Sequence, residues 1–410
     1  MKPSKTCIIV GAGGRGKDSY APYIKKTGIM KIVGVAEPDD KKRNQFKNRY
    51  GIADNMCFTD YKELFSKKRL ADAVIICTQD KMHLECTRLA VNRGYHILLE
   101  KPVATTLEEL CEIEKLVTGY DKVFMTGFVL RYTPFIQKIK QIIRDGEIGD
   151  IVTMQLNENE GFWHHAHSYV RGPWNNEATS SPLIVAKSCH DFDLMMYLVG
   201  SDCVKLSSYG SNNFFKAENA PGAVPMRCTD GCEFGDACVY NAVKLYTEGQ
   251  AKYFVHKFEC GDTKEAVIEA LKTNPYGRCI YRCDNNVCDH QVASLEFVNG
   301  VTAVFTVSAF SKNNTRTIKI MGTKGEVGGC MEEGVLVLKR FSDMSEETFH
   351  ITHDGTKHCG GDGGLMEHFS KLIEREATQD KWIFKAHKAV FAAEMARKSG
   401  KSIAYKEYKN

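Results

Sequence analysis

Thr6-Cys7-Ile8-Ile9-Val10-Gly11-Ala12-Gly13-Gly14-Arg15-Gly16 is the stretch on which the fold turns. A short, β-branched and apolar run of this kind reads as a strand buried on both faces. The glycines behind it fit G-x-G-x-x-G, a turn that lets the backbone approach a pyrophosphate and opens a helix whose first N–H groups face the phosphates. Alone, the pattern also describes an ordinary glycine-rich turn, so its setting matters. Glu37 follows the next apolar run, Ile32–Ala36. A carboxylate there accepts hydrogen bonds from the adenosine ribose and repels a 2′-phosphate. The stretch therefore reads as a dinucleotide site built from Gly11, Gly13, Gly14, Arg15, Gly16 and Glu37. NAD is the expected cofactor, and Lys41 or Arg43, placed to serve a phosphate, keep NADP open.

Further apolar runs at Ala73–Cys77, His96–Leu99 and Val123–Thr126 alternate with helical stretches at Ser19–Lys26, Lys41–Tyr50, Met82–Arg93 and Leu107–Val117. Pro22 confines itself to a first turn or a kink. Strand–helix alternation predicts a doubly wound parallel sheet covered on both faces. After Phe128 the texture changes. The helix Pro134–Asp145 leads into Ile151–Asn157, then Cys203–Tyr209, Ser294–Phe297, Thr302–Phe310, Thr315–Met321 and Gly334–Lys339, with Asn299-Gly300 as a two-residue hairpin turn. Helices at Leu365–Glu376 and Ala386–Lys398 close the chain. The expected fold class is α/β followed by α+β. A Rossmann domain spans 1–127, and 128–410 forms a substrate-binding and oligomerisation domain on a large, mostly antiparallel open sheet.

Of the 410 residues, 43% are hydrophobic and 26% charged, with a net charge of +4, the balance of a soluble globular protein. The basic clusters Lys41-Lys42-Arg43 and Lys67-Lys68-Arg69 read as solvated faces, so nucleic acid is not an expected partner. No apolar run reaches the roughly 20 residues that cross a bilayer, and the first is too short for a signal-peptide core; no membrane partner and a cytoplasmic location are expected. There are 16 cysteines. In a reducing compartment most behave as small buried hydrophobes. Cys228, Cys232, Cys238, Cys279, Cys283 and Cys288 lie in turn-rich sequence without C-x₂-C spacing. A structural zinc, less readily an iron–sulfur cluster, and free thiols all remain open for them. The catalytic chemistry itself is expected to need no metal.

Glu100-Lys101-Pro102 ends the fourth strand, where doubly wound sheets place their ligands. Together with Gly11–Gly16, Thr78…His83, Gly127 through Arg131-Tyr132-x-Pro134, Lys187-Ser188-Cys189-His190-Asp191-Phe192-Asp193 and Ala386-His387…Phe391-Ala392-Ala393-Glu394, it resembles the glucose-fructose oxidoreductase / inositol dehydrogenase / MocA family over nearly the whole chain. The resemblance implies oxidation or reduction of one hydroxyl of a sugar or cyclitol, and a homodimer or homotetramer formed through the large sheet. It also implies that Thr78, His83 and Glu100 join the cofactor site, that Lys101 lies beside the nicotinamide and the reacting hydroxyl, and that His190 is the acid/base. The chemistry agrees: a neutral histidine suits proton removal near pH 7, and a lysine stabilises the developing alkoxide.

One departure stands out. Many members carry aspartate four residues before the histidine, and here that residue is Ala186, followed by Lys187. Lys187 is expected to add a second charge at the reacting hydroxyl or to hold Asp191. The change moves the expected substrate from a plain cyclitol toward glycosides and substituted sugars. His164, His167, Arg171, Trp174, Asp191 and Asp362 are candidate sugar-binding residues; a zinc on His164 and His167 is unnecessary for hydride transfer. Two other functions stay in view: NAD-dependent glycoside cleavage through transient oxidation, and a non-catalytic sugar- or NAD-sensing regulator.

Overall fold

A computed structural model describes residues 5–375 and 382–404. The expected helix end at Glu376 lies outside them.

The N-terminal sheet consists of β1 (Thr6–Val10), β2 (Lys31–Ala36), β3 (Cys57–Phe58), β4 (Ala73–Ile76), β5 (His96–Leu99) and β6 (Phe124–Thr126), in the order β3-β2-β1-β4-β5-β6 and parallel throughout. β1 and β4 are buried on both faces, which is why they read as unbroken apolar runs. The order reverses between β1 and β4, and that switch point is where doubly wound sheets bind ligands. Gly11 has φ +96°, and a Cβ there would stand 2.5 Å from the Cys77 carbonyl; one on Gly16 would stand 2.3 Å from the Gly11 carbonyl. Only glycine permits the loop to fold this tightly. The following helix opens with one under-wound turn, Gly16–Tyr20, and continues as Ala21–Thr27 with Pro22 near its start.

The second sheet has nine strands: β7 (Ile151–Gly161), β8 (Cys203–Ser211), β9 (His290–Phe297), β10 (Thr302–Ser311), β11 (Thr315–Gly322), β12 (Gly325–Cys330), β13 (Val335–Arg340), β14 (Glu346–His350) and β15 (Ile403–Ala404). Their order is β14-β13-β12-β11-β7-β10-β9-β8-β15. Only the central pair β7–β10 is parallel. The β9–β10 turn differs from expectation. Phe297 N donates to Val301 O, so the loop holds three residues, with Gly300 at φ +81°. A three-residue hairpin places glycine in the left-handed position, whereas a two-residue turn would need both central residues there.

Residues 212–289, between β8 and β9, form an insertion with its own small cores. One gathers Ala242, Leu245, Tyr246, Phe254, Val255, Val267 and Leu271, and another includes Phe215, Tyr240 and Ile280. The helix Gly361–Ile373 packs against the turn Val129–Tyr132 and the turn Gly16–Tyr20 of the first domain, and the helix Ile383–Ser399 packs against β8, the helix Cys189–Val199 and the helix Leu107–Val117 of the first domain. Arg15, in the loop after β1, reaches across to Asp362 at the start of the helix Gly361–Ile373, so the candidate site lies between the two domains. No helix among the described residues is long and apolar enough to cross a membrane.

Candidate active site

The glycine loop is open where a cofactor would lie, since a Cβ on Gly13 or Gly14 would meet nothing. Glu37, buried at the end of β2, accepts from Ala12 N at 2.7 Å and Asp39 N at 3.1 Å. Its carboxylate is thus fixed beside the loop, as a ribose-binding carboxylate must be. Arg43 is already committed, donating to the Glu37 and Pro38 carbonyls and pairing with Asp40. These residues fit NAD.

Arg15 does not stay on the loop. Its Nε meets Glu100 Oε1 at 2.7 Å, and its two Nη atoms meet Asp362 at 3.0 Å each, a two-pronged bridge from the cofactor loop to the second domain. Tyr20 bonds both Arg15 and Glu100. Burial pushes Glu100 up, but Arg15 and Tyr20 outweigh it and hold the carboxyl below the usual range. Asp362 is brought to about 2 against its own burial by His358 and Arg15. Asp362 thus serves as the anchor of Arg15 and His358, in place of the expected sugar contact.

His83 is fully enclosed. Its Nδ1–H donates to Pro102 O at 2.8 Å, and its Nε2 lies 3.3 Å from Thr78 O. It therefore ties the loops after β4 and β5 together and offers no surface to a cofactor, contrary to the sequence expectation. Thr78 Oγ1 stands 4.0 Å from Cys86 Sγ.

Lys101 follows β5, with a cis peptide to Pro102. Its Nζ donates to Ala186 O at 2.9 Å, and among the described residues it has no carboxylate partner. The missing aspartate is thus replaced by a backbone carbonyl, which holds the ammonium without neutralising it. His190 lies one turn further on, near the start of the helix Cys189–Val199. Its Nδ1 is buried without a partner among the described residues, and Phe128 packs edge-on at 6.0 Å. Burial, then the charges of Lys101 and Arg316, hold the ring neutral well below the ordinary histidine range.

Lys187 departs from both expected roles. It turns to Glu158 at 3.2 Å and Glu160 at 3.5 Å, two buried carboxylates. Asp191 is held by Arg316 Nε at 2.9 Å, and Arg316 also pairs with Glu158, its cross-strand partner. Burial pushes Asp191 up, and its second oxygen has no partner. Sequence reasoning missed Glu158, Glu160, Arg316 and His358. A signal existed for the first two: Met154, Leu156, Glu158 and Glu160 share one face of β7, so the alternation that buries the first pair buries the second.

The expected sugar-binding loop divides. His164 stands at the cleft side, 3.2 Å from Glu160 and 3.3 Å from Asn314. Trp174 donates weakly to Asp80 at 3.4 Å. His167 faces the insertion instead, stacked between Phe254 at 3.9 Å and Tyr276 at 4.4 Å, with Nδ1 2.9 Å from the Tyr246 hydroxyl. Arg171 is fully buried and donates to the Arg278 and Tyr240 carbonyls, both at 2.7 Å. These two are anchors of the insertion, because no cleft surface reaches them. All sixteen cysteines are free thiols. Four of them, Cys228, Cys232, Cys238 and Cys279, border a cavity of about 280 Å³, yet among the described residues no three His, Cys, Asp or Glu side chains converge closely enough to hold a metal ion.

Two family models match the chain: "Oxidoreductase family, NAD-binding Rossmann fold" over residues 5–128 and "GFO/IDH/MocA C-terminal domain" over 136–328. Among curated relatives, the scyllo-inositol 2-dehydrogenase (NAD(+)) of Bacillus subtilis (strain 168) is 25% identical over 282 residues, covering 68% of this chain and 71% of that protein. A levoglucosan dehydrogenase solved with NADH and levoglucosan superposes with a TM-score of 0.70 at 16% identity, covering 98% of this chain and 99% of the other. The myo-inositol 2-dehydrogenase of Lactobacillus plantarum gives 0.66 at 19% identity, with the same coverage. At these identities the solved structures bear on the fold alone.

Proposed function

Because the chain belongs to the GFO/IDH/MocA oxidoreductase family, we propose that it transfers hydride between NAD and a secondary hydroxyl of a sugar, cyclitol or glycoside. Gly11 to Gly16 and Glu37 hold the dinucleotide, whose nicotinamide accepts or returns the hydride when bound. His190, neutral and unpartnered, takes the hydroxyl proton. Lys101 stabilises the alkoxide as the proton leaves.

The observation that carries the reading is the state of Lys101. In a cleft rich in carboxylates, Arg15, Lys187 and Arg316 are each paired with acids, whereas Lys101 is oriented by a carbonyl and has no carboxylate partner among the described residues. An unneutralised ammonium beside a neutral imidazole suits an alkoxide that forms only during reaction. The regulator reading leaves this pair without use.

Glycoside cleavage by transient oxidation is a second reading. Beyond its pair with Arg316, Asp191 keeps one buried oxygen without a partner among the described residues, a polar contact that simple dehydrogenation does not require. Tyr209, Val292 and Val304 are exposed on one face of the large sheet, which supports a homodimer or homotetramer formed there; light scattering in solution tests this.

The experiment is a panel of myo-inositol, scyllo-inositol, levoglucosan and aryl glycosides with NAD, followed for NADH and for released aglycone. NADH formation supports dehydrogenation, and aglycone release without net NADH supports cleavage. Tight NADH binding with neither signal and no polyol binding overturns both.

A further inference from the structure

One side chain beside His190 has no part in the chemistry above. His358 has φ +53°, Cys359 +50° and Gly360 +86°. Non-glycine residues in the left-handed region are strained and persist only where the surroundings fix them. What fixes these is visible. His358 Nδ1 lies 3.0 Å from Asp362 Oδ1, and Asp362 is itself clamped by both Nη atoms of Arg15. Since an ionised carboxylate only accepts, Nδ1 carries the proton. The 3.4 Å approach of Arg15 Nη1 to that same atom is then a contact between donors. The other nitrogen, Nε2, is left as an acceptor with no partner among the described residues.

The His358 ring stands beside that of His190. Its side chain keeps 36% exposure, and its centre lies 6.2 Å from that of His190. At that separation no hydrogen bond joins the two imidazoles, so the free nitrogens of both rings stay available to another partner. Neighbouring hydroxyls on a sugar or cyclitol ring lie about one hydrogen-bond length apart, and each reaches a nitrogen over about 2.8 Å. Burial and the charges of Arg15 and Lys101 lower the His358 pKa against the pull of Asp362, which favours the neutral acceptor form.

We propose that His358 accepts a hydrogen bond from the hydroxyl adjacent to the one His190 deprotonates, so that the cleft selects vicinal diols over isolated alcohols. Asp362 is the positioning residue that orients the ring. The inference rests on the dehydrogenase reading above and names its substrate class.

The test uses the full chain with NAD. The best-bound polyol of the panel is compared with its two deoxy analogues, each lacking one hydroxyl next to the oxidised carbon, by turnover and by saturation-transfer NMR binding. The wild type is expected to reject one analogue ten- to a hundredfold, as sites built around a hydroxyl do. His358→Asn keeps a donor for Asp362 but loses the reach of Nε2. It should raise KM for the parent polyol about tenfold, with a smaller fall in kcat, and shrink the discrimination to about threefold. His358→Gln, whose amide extends toward the lost nitrogen, should recover part of it. NADH titrations should match across the variants, showing that Arg15 and the cofactor loop are intact. If His358→Asn rejects the analogue as strongly as the wild type, this inference alone falls. If the wild type binds NADH but neither binds nor oxidises any polyol, the dehydrogenase reading falls with it.

Discussion

The reaction cleft and the 212–289 insertion are made of the same residue types, yet they spend them differently. Both use histidine, arginine and cysteine in buried settings. Where the insertion docks, His167 is sandwiched between two of its rings and Arg171 donates to two of its carbonyls. Their polarity is consumed in holding one segment to another. In the cleft, the strong pairs Arg15–Asp362, Arg316–Asp191 and Lys187–Glu158 form a frame around two groups left incomplete, Lys101 and His190. Residue identity does not separate a structural histidine from a reactive one; unspent bonding capacity facing open space does.

The largest expected effect breaks the comparison on the cleft side. Lys101→Met or His190→Ala should lower kcat by about 10³-fold or more, with NADH affinity, read by fluorescence titration, within a few-fold of the wild type. Turnover persisting in both variants removes the cleft from the chemistry. On the insertion side, Arg171→Met should act on folding. It leaves two buried carbonyls without donors, at a cost of about 2–4 kcal/mol, seen as a lower urea midpoint while turnover per folded molecule holds. If that turnover collapses as it does for Lys101, the two regions are not distinct.

Acid titration sharpens the contrast further. Burial foremost holds His167 at about 2 and His387 at about 3. The unfolded chain binds both protons near pH 6.5 and the folded chain does not. Their contribution is therefore complete above that pH and is lost below it, by up to about 1.4 kcal/mol per pH unit for each ring. His167→Phe keeps the aromatic stack and should flatten the slope between pH 6 and pH 4 by one ring's share, measured by urea denaturation. The smallest effect belongs to Glu37, which braces the glycine loop and under the proposed function also binds the ribose. Glu37→Ala should cut the preference for NAD over NADP by about tenfold, equivalent to roughly 1.4 kcal/mol; an unchanged ratio means the carboxylate only braces.

Much of this was legible in the chain. The Rossmann half followed from apolar runs and glycine spacing, because parallel strands buried on both faces carry an unmistakable composition. The motifs around Lys101 and His190 pointed to two segments that the fold brings together, Lys101 donating to the carbonyl of Ala186, four residues before His190. β12 was not, because its Gly325, Gly328 and Gly329 lack β-propensity. In the fold they admit close neighbours: a Cβ on Gly329 would stand 2.0 Å from the Val335 carbonyl. Lys187 was misread because its partners, Glu158 and Glu160, come from a strand about 30 residues earlier, and pairing across that distance leaves no local trace. The same holds for Arg316. His167 and Arg171 looked like sugar ligands because stacking on a sugar and stacking on Phe254 ask for the same side chain.

The parallel contact between β7 and β10 also sets an order of events. These strands are neighbours at the middle of the large sheet, yet β8, the whole insertion and β9 lie between them in the chain. Closing so long a loop is entropically slow, so the hairpins β9–β10 and β11–β12 and the insertion's own cores can form before the seam does. The sheet's centre is then its last part to assemble. A chain stalled at that stage would expose two unpaired edges of β-branched and apolar sequence, and its yield on refolding should depend on protein concentration more than on the stability of the finished fold.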